Sequence, residues 1–266
     1  ALAIDRHRPR GERIIAIHNH TGHDHPHTYK HLDYIAARYG VEIVMTRSEK
    51  YDDVPDFINK AQYFPASNAR GCTTALKIKP FIKWLRDTGY TNRGGLAHIY
   101  FGMRAAESVN RATKYADLGD EDVFPYSDVC GIKNGRDLVH VSASLPILSW
   151  PTQRVFEFLH GRGDKVNDLY GMGHSRVGCY PCVLAGRVEW EIAVNDPFGR
   201  RQIKKFLDSQ DRFAAEKNPR KLIKIHETRD VHYLYEHGRF PEEQRRGLDT
   251  QGGCGLFCES EPEKTP

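Results

Sequence analysis

Ile14-Ile15-Ala16-Ile17-His18-Asn19-His20-Thr21-Gly22-His23-Asp24-His25-Pro26 reads as a strand, a polar turn and the start of a helix. Ile14–His18 is short, apolar and β-branched, the mark of a parallel strand covered on both faces. Asp24 or His25 can cap a helix that has Pro26 in its first position. Leu32, Ile35, Ala36 and Tyr39 then recur at i, i+3, i+4 and i+7, so one face is apolar, and Gly40 ends the helix. Val41–Thr46 reads as the next strand, reached by a crossover that is right-handed by default. Ligands of open parallel sheets bind beyond the carboxyl ends of the strands, which makes Thr21 and Gly22 the first candidate site residues.

Upstream, Ala1–Asp5 reads as the end of a helix that runs into Arg6-His7-Arg8-Pro9-Arg10. Downstream, Asp53–Asn59 is a short helix and Ser67–Thr74 an irregular loop carrying Cys72. A helix follows from about Lys79, with Pro80 in its first turn and Phe81, Trp84 and Leu85 on one face. Leu96–Phe101 is a third strand, running into Gly102–Ser108, where a helix begins. Asp117–Val139 has weak periodicity and reads as an excursion. Val141–Leu148 leads to Trp150-Pro151-Thr152 and a helix with Val155, Phe156 and Leu159 inward. Phe198–Lys217 is a long charged helix, and Gly238–Pro266 an irregular tail. The expected architecture is α/β, a parallel sheet flanked by helices with a Cys-containing C-terminal extension. A nucleotide-binding domain would occupy 1–190, with a helical segment and the tail over 191–266.

The 266 residues, 39% hydrophobic and 28% charged, suit a globular protein with one full core. No apolar run approaches the roughly 20 residues of a membrane span, so no membrane partner is expected. A net charge of +4 suits a phosphorylated small molecule or a nucleic acid without choosing between them.

The cysteines are Cys72, Cys130, Cys179, Cys182, Cys254 and Cys258. A chain this long does not need them as staples, which points to metal or redox chemistry in a reducing, cytoplasmic setting. In Leu169-Tyr-Gly-Met-Gly-His-Ser-Arg-Val-Gly-Cys-Tyr-Pro-Cys182, the thiols of Cys179 and Cys182 can grip one centre from a tight turn. Redox pairs and zinc knuckles share this spacing, so it does not select a centre. His18, His20, His23, His25, His27 and His31 are dense, but alternating spacing on a turn rarely makes a defined site. We read them as polar loop residues.

Several segments together resemble the phosphoadenylyl sulfate/adenylyl sulfate reductase family. Thr21-Gly22-His23-Asp24-His25-Pro26-His27-Thr28 is similar to its Asp-Thr-Gly-x-x-x-Pro-x-Thr segment, with Asn19-His20 where an Asp usually precedes. Cys72–Lys77 with Pro80 resembles its Cys-x-x-x-x-Lys-x-x-Pro run. Gly102-Met103-Arg104-Ala105-Ala106-Glu107-Ser108 with Arg111 is similar to Gly-x-Arg-x-x-(Glu/Gln)-Ser-x-x-Arg. Pro146–Trp150 and the turn ending at Cys182 also match, over roughly residues 14–185 in all.

The resemblance implies an adenine nucleotide α-hydrolase-like fold that binds an adenine sulfonucleotide through Thr21, Gly22, Lys77, Gly102, Arg104, Ser108 and Arg111. Arg104 could pair with phosphate or sulfate through its planar fork, and Arg111 lies two helical turns further on. It further implies thiol attack on the sulfonucleotide's sulfur, and release of sulfite by a thioredoxin-like dithiol. Cys254-Gly255-Leu256 is similar to the family's Glu-Cys-Gly-Leu-His end, which makes Cys254 the candidate catalytic thiol. Cys72, Cys179 and Cys182 would ligate a 4Fe-4S cluster, with Cys258 (or Cys130 or Cys254) as fourth ligand; zinc is the alternative.

Two departures stand out. The family opens with a strand and a Ser-Gly-Gly-Lys-Asp-Ser-like phosphate loop, which this sequence lacks. We therefore expect an N-terminally truncated frame that binds nucleotide poorly, with an apolar groove beside Ile14–His18. Cluster-bearing members have two adjacent cysteines upstream, where Gly71 precedes Cys72 here. Two other functions remain open. One is an ATP-dependent sulfurtransferase related to those that place sulfur in DNA. The other is a zinc-stabilised nucleic-acid-binding module, although no basic stripe is interleaved with aromatics.

Overall fold

The computed structural model describes residues 1–67, 69–92, 97–130, 135–216, 225 and 229–244. Helix α1 (Leu2–His7) and a 3-10 turn (Arg8–Arg10) lead into strand β1 (Ile15–His20). β1 runs parallel to β2 (Glu42–Arg47), with Ile15 opposite Glu42 and His20 opposite Arg47. Between them lies α2 (Pro26–Tyr39). The His25 side chain caps it by accepting from the His27 amide, Pro26 opens it, and Gly40 closes it in a left-handed conformation. After β2, Asp53 caps α3 (Val54–Ala61) by accepting from the Asp56 amide at 2.7 Å.

The segment read as an irregular loop, Ser67–Thr74, turns helical from Gly71 onward. A turn α4 (Gly71–Thr73) passes through a π-helical stretch (Thr74–Ile78) into α5 (Lys79–Asp87). Thr73 and Thr74 weaken helix propensity, but tertiary burial overrides it, as Leu76 is only 1% exposed. The wide π turn carries Lys77.

The remaining strands form a second sheet in the order β3–β5–β4. β3 (His98–Tyr100) is parallel to β5 (Ser142–Ser144), and β4 (Phe124–Pro125) is antiparallel to it. The parallel pairing is as expected, but it is divided between two sheets. β1 is hydrogen-bonded to β2 alone among the described strands. Packing connects the sheets: Ile17 from β1 and Ile99 from β3 both lie against the cluster of Phe81, Ile82, Leu85, Val141 and Ala143.

The expected helix over Gly102–Ser108 begins later. A 3-10 turn (Ala105–Glu107) precedes α6 (Val109–Lys114), and the Ser108 hydroxyl caps α6 by accepting from the Arg111 amide at 3.2 Å. Ser108→Ala should cost about 1 kcal/mol, and so lower the melting temperature by roughly 2–4 °C. An unchanged melting curve would remove the cap from the account.

After β4 come α7 (Ser127–Cys130) and a 3-10 turn, and after β5 comes α8 (Thr152–Gly161). Val155, Phe156 and Leu159 of α8 are half-buried, less covered than the inward face expected for them. Then follow α9 (Asp168–Gly171), the cysteine turn, α10 (Arg187–Asn195), α11 (Pro197–Ala215) and α12 (Val231–His237). The larger core joins Phe57, Ile58 and Leu76 with Tyr180, Trp190, Phe206, Phe213 and Leu234. Residues on both sides of position 190 thus share one cluster, with the cysteine turn seated in it. No described helix is long and apolar enough to cross a membrane.

Candidate active site

The polar turn after β1 is held by its own side chains. Oδ2 of Asp24 accepts from both the amide and the hydroxyl of Thr21, each at 3.0 Å. Gly22 has φ +65°, and a Cβ there would stand 2.2 Å from the Asp52 carbonyl and 2.7 Å from Asp53 Cβ. Its glycine is required by the close approach of the β2–α3 connection. His23 is wholly buried, which lowers its pKa to about 4 and keeps its ring neutral.

The cysteine turn is laced onto this loop. The Tyr180 amide donates to the His23 carbonyl at 2.7 Å, and Asp24 and Cys179 form an antiparallel bridge. The Cys179 thiol donates to the Thr21 hydroxyl at 3.5 Å. From the other side, Glu189 of α10 fixes the approach to the turn. Its carboxylate pairs with Nδ1 of His174 and accepts from the Ser175 amide at 2.8 Å and hydroxyl at 2.7 Å. Nε2 of His174 continues to the Tyr180 hydroxyl at 3.1 Å. Burial pushes the Glu189 pKa up, but these hydrogen bonds outweigh it and hold the carboxylate below its ordinary value.

Cys72, Cys179 and Cys182 are free thiols, each half-buried against the larger core. Desolvation, with Cys179 and Cys182 nearby, raises Cys72 to about 11. Burial also raises Cys179, while Lys77 pulls it down. The Lys77 ammonium is raised chiefly by Cys179, against the opposing effect of burial, with Asp24, Cys182 and Cys72 adding to it. The structure thus brings Thr21, Gly22, Lys77, Cys72, Cys179 and Cys182 to one end of β1. Gly71 fits closely beside them: a Cβ there would meet the Tyr63 hydroxyl at 2.1 Å and Phe57 Cζ at 2.9 Å. A second cysteine in its place would have to displace both rings.

Gly102, Arg104, Ser108 and Arg111 stand after β3. Arg104 donates to the Thr152 hydroxyl at 2.7 Å and lies 3.5 Å from Glu107, with which Arg111 also pairs. One carboxylate therefore holds both guanidiniums, and Ser108 is occupied as a helix cap. Gly102 has only Ile147 near its Cβ position, at 3.9 Å, so packing does not demand a glycine there. Cys254 and Cys258 lie outside the described residues, as does the side chain of Cys130.

Reading the sequence did not single out Asp24 as a loop anchor, nor Glu189 as the brace of the cysteine turn. Asp24 had a local signal, a short acid three residues after Thr21, within reach of that residue's amide and hydroxyl. Glu189 had none, because its partners are fixed by the packing of α10.

The model of the phosphoadenosine phosphosulfate reductase domain matches residues 2–185. An uncharacterized protein of Methanocaldococcus jannaschii is 26% identical over 172 residues, covering 65% of this chain and 31% of that protein. Adenosine 5'-phosphosulfate reductase of Allochromatium vinosum is 24% identical over 188 residues, 64% of this chain and 62% of that enzyme. The chain therefore spans less than two thirds of the length of either. The crystal structure of phosphoadenylyl-sulfate reductase from Candida auris, a phosphate complex, superimposes with a TM-score of 0.42. It is 15% identical and covers 64% of this chain and 71% of that one.

Proposed function

The chain belongs to the phosphoadenosine phosphosulfate reductase domain family, and from that premise we propose that it acts on an adenine sulfonucleotide at the carboxyl end of β1. The observation that carries this reading is Lys77, a half-buried ammonium among thiols and a carboxylate, whose surroundings hold it charged. A cation kept charged beside a glycine-containing turn is a seat for sulfate or phosphate oxygens. Arg104 and Arg111, oriented by Glu107, would take a further anionic group.

In the proposed reaction the Cys254 thiolate attacks the sulfonyl sulfur. An S–S bond forms, the S–O bond to the nucleotide breaks, and the adenine nucleotide leaves with the bridging oxygen. The resulting S-sulfonate is attacked at the cysteine sulfur by one thiolate of a thioredoxin-like dithiol, and sulfite leaves with the bonding pair. The second thiolate closes a disulfide and frees Cys254, so two electrons pass from dithiol to sulfur. Cys72, Cys179 and Cys182, two thiols from one turn and one from the facing helix, form a donor set that suits an iron–sulfur cluster, with Cys258 as the proposed fourth ligand. Such a cluster would supply an anchor between turn and helix. Lys77 supplies the compensating charge.

Calorimetric titration with adenylyl sulfate, its 3′-phosphorylated form and ATP tests the reading. One of the sulfonucleotides should bind more tightly than ATP; the reverse order would favour ATP-dependent sulfur transfer and overturn it. Arg104→Ala should weaken sulfonucleotide binding by about 1.5–3 kcal/mol, the worth of a charge-assisted contact. Unchanged affinity would place the anion elsewhere.

A further inference from the structure

β1 carries a second set of ligating groups, apart from the cysteines. The strand runs two residues beyond His18, to His20, so these two side chains leave the same face. One ring nitrogen from each and a carboxylate oxygen of Asp24 lie within 4.8 Å of one another. Nε2 of His18 stands 3.6 Å from Oδ2 of Asp24, with the side chains 16% and 4% exposed. That separation is too long for a hydrogen bond, and this buried nitrogen has no hydrogen-bond partner among the described residues. Ligands at 2.0–2.2 Å from one tetrahedral ion stand about 3.4 Å apart, so the gap has the dimensions of an ion.

The surroundings hold these groups in place. The Tyr29 hydroxyl lies 2.7 Å from Nδ1 of His20, and Thr21 fixes Oδ2 of Asp24 with two hydrogen bonds. Outer contacts of this kind orient ligating imidazoles and carboxylates. His25 and His27, by contrast, are placed against Asp196 and Asp168. Two imidazoles and one carboxylate suit zinc, iron(II), cobalt(II) or nickel(II), and suit magnesium or calcium poorly.

We propose that His18, His20 and Asp24 bind one divalent transition-metal ion at the carboxyl end of β1, in a site distinct from the three thiols. With three protein ligands, coordination positions remain for water or for an anionic oxygen of a ligand.

Chelator-treated full chain titrated with Co²⁺ and followed by visible absorption provides the test. The Cys72→Ser/Cys179→Ser/Cys182→Ser variant, with its remaining cysteines alkylated, leaves no competing thiol and no sulfur-to-cobalt charge transfer in the near ultraviolet. This variant should still bind one equivalent of Co²⁺ with visible bands alone. Adding His18→Gln or His20→Gln should weaken that binding at least tenfold. Loss of Co²⁺ binding with the cysteines, or binding indifferent to both histidine substitutions, would overturn the proposal. If the cysteine variant does not fold, the same titration applies to wild type, His18→Gln and His20→Gln after alkylation of their thiols, with the same outcomes deciding.

Discussion

Lys77→Met is expected to weaken sulfonucleotide binding by at least about tenfold. Methionine keeps the length of the stem but removes the positive charge that Lys77 presents to Asp24 and the thiols of Cys72, Cys179 and Cys182. Losing the ammonium takes a charge-assisted contact from the bound sulfate, worth about 1.5–3 kcal/mol. Repulsion between the uncompensated Asp24 carboxylate and an incoming sulfate adds to the loss. The same substitution should raise the Cys179 pKa further, because Lys77 is what pulls it down. Lys77→Arg keeps the charge and should recover part of the affinity. The check is a dissociation constant for adenylyl sulfate measured on all three proteins. Equal values for wild type and Lys77→Met would exclude Lys77 from the anion site.

Glu189→Ala should lower stability by about 1–3 kcal/mol, the cost of leaving buried hydrogen-bonding groups without their acceptor, and so lower the melting temperature by roughly 5 °C. The substitution strips His174 and Ser175 of their shared acceptor and frees the segment leading to Cys179 and Cys182. The pH dependence has a definite sign. The folded pKa of Glu189 is depressed, so its contribution is complete above the unfolded carboxylate value of about 4.3 and is lost as pH falls through the lower folded value. Wild type should therefore lose stability in acid, below about pH 4.3, and Glu189→Gln should show a shallower acid limb. Identical slopes for the two proteins would contradict the assignment. Thermal melts across this range supply both measurements.

The sequence carried the elements whose signals are local. β1, α2 and β2 follow from one β-branched run, a cap at His25-Pro26 and Gly40, and they stand within two residues of the places read for them. Where burial decides, local reading failed. Ser67–Thr74 reads as an irregular loop, yet Leu76 just beyond it is drawn into the larger core and the chain is helical from Gly71. Val141–Leu148 carries no clear local signal: Ser142–Ser144 alone pairs, while Val141, Leu145 and Leu148 are spent on packing.

That Thr21, Gly22, Lys77, Cys72, Cys179 and Cys182 gather at one end of β1 was legible from strand position for Thr21 and Gly22, from spacing for Cys179 and Cys182, and from the family resemblance for Cys72 and Lys77. The reason for some of them was not. Gly22 is required by the Asp52 carbonyl, and Ser108 serves α6. The pairing of His18 with His20 and Asp24 was hidden because the strand was read as ending at His18, which left His20 in a turn.

Attack of the Cys254 thiolate on a sulfonucleotide would leave a covalent adduct that intact-protein mass spectrometry reads. The 266-residue chain incubated with adenylyl sulfate or its 3′-phosphorylated form, without reductant, should gain one sulfonate. The adduct should map to Cys254, be absent from Cys254→Ser, and be released as sulfite when a thioredoxin-like dithiol is added. A chain that binds the nucleotide tightly but never acquires the adduct, or acquires it equally as Cys254→Ser, would contradict the account.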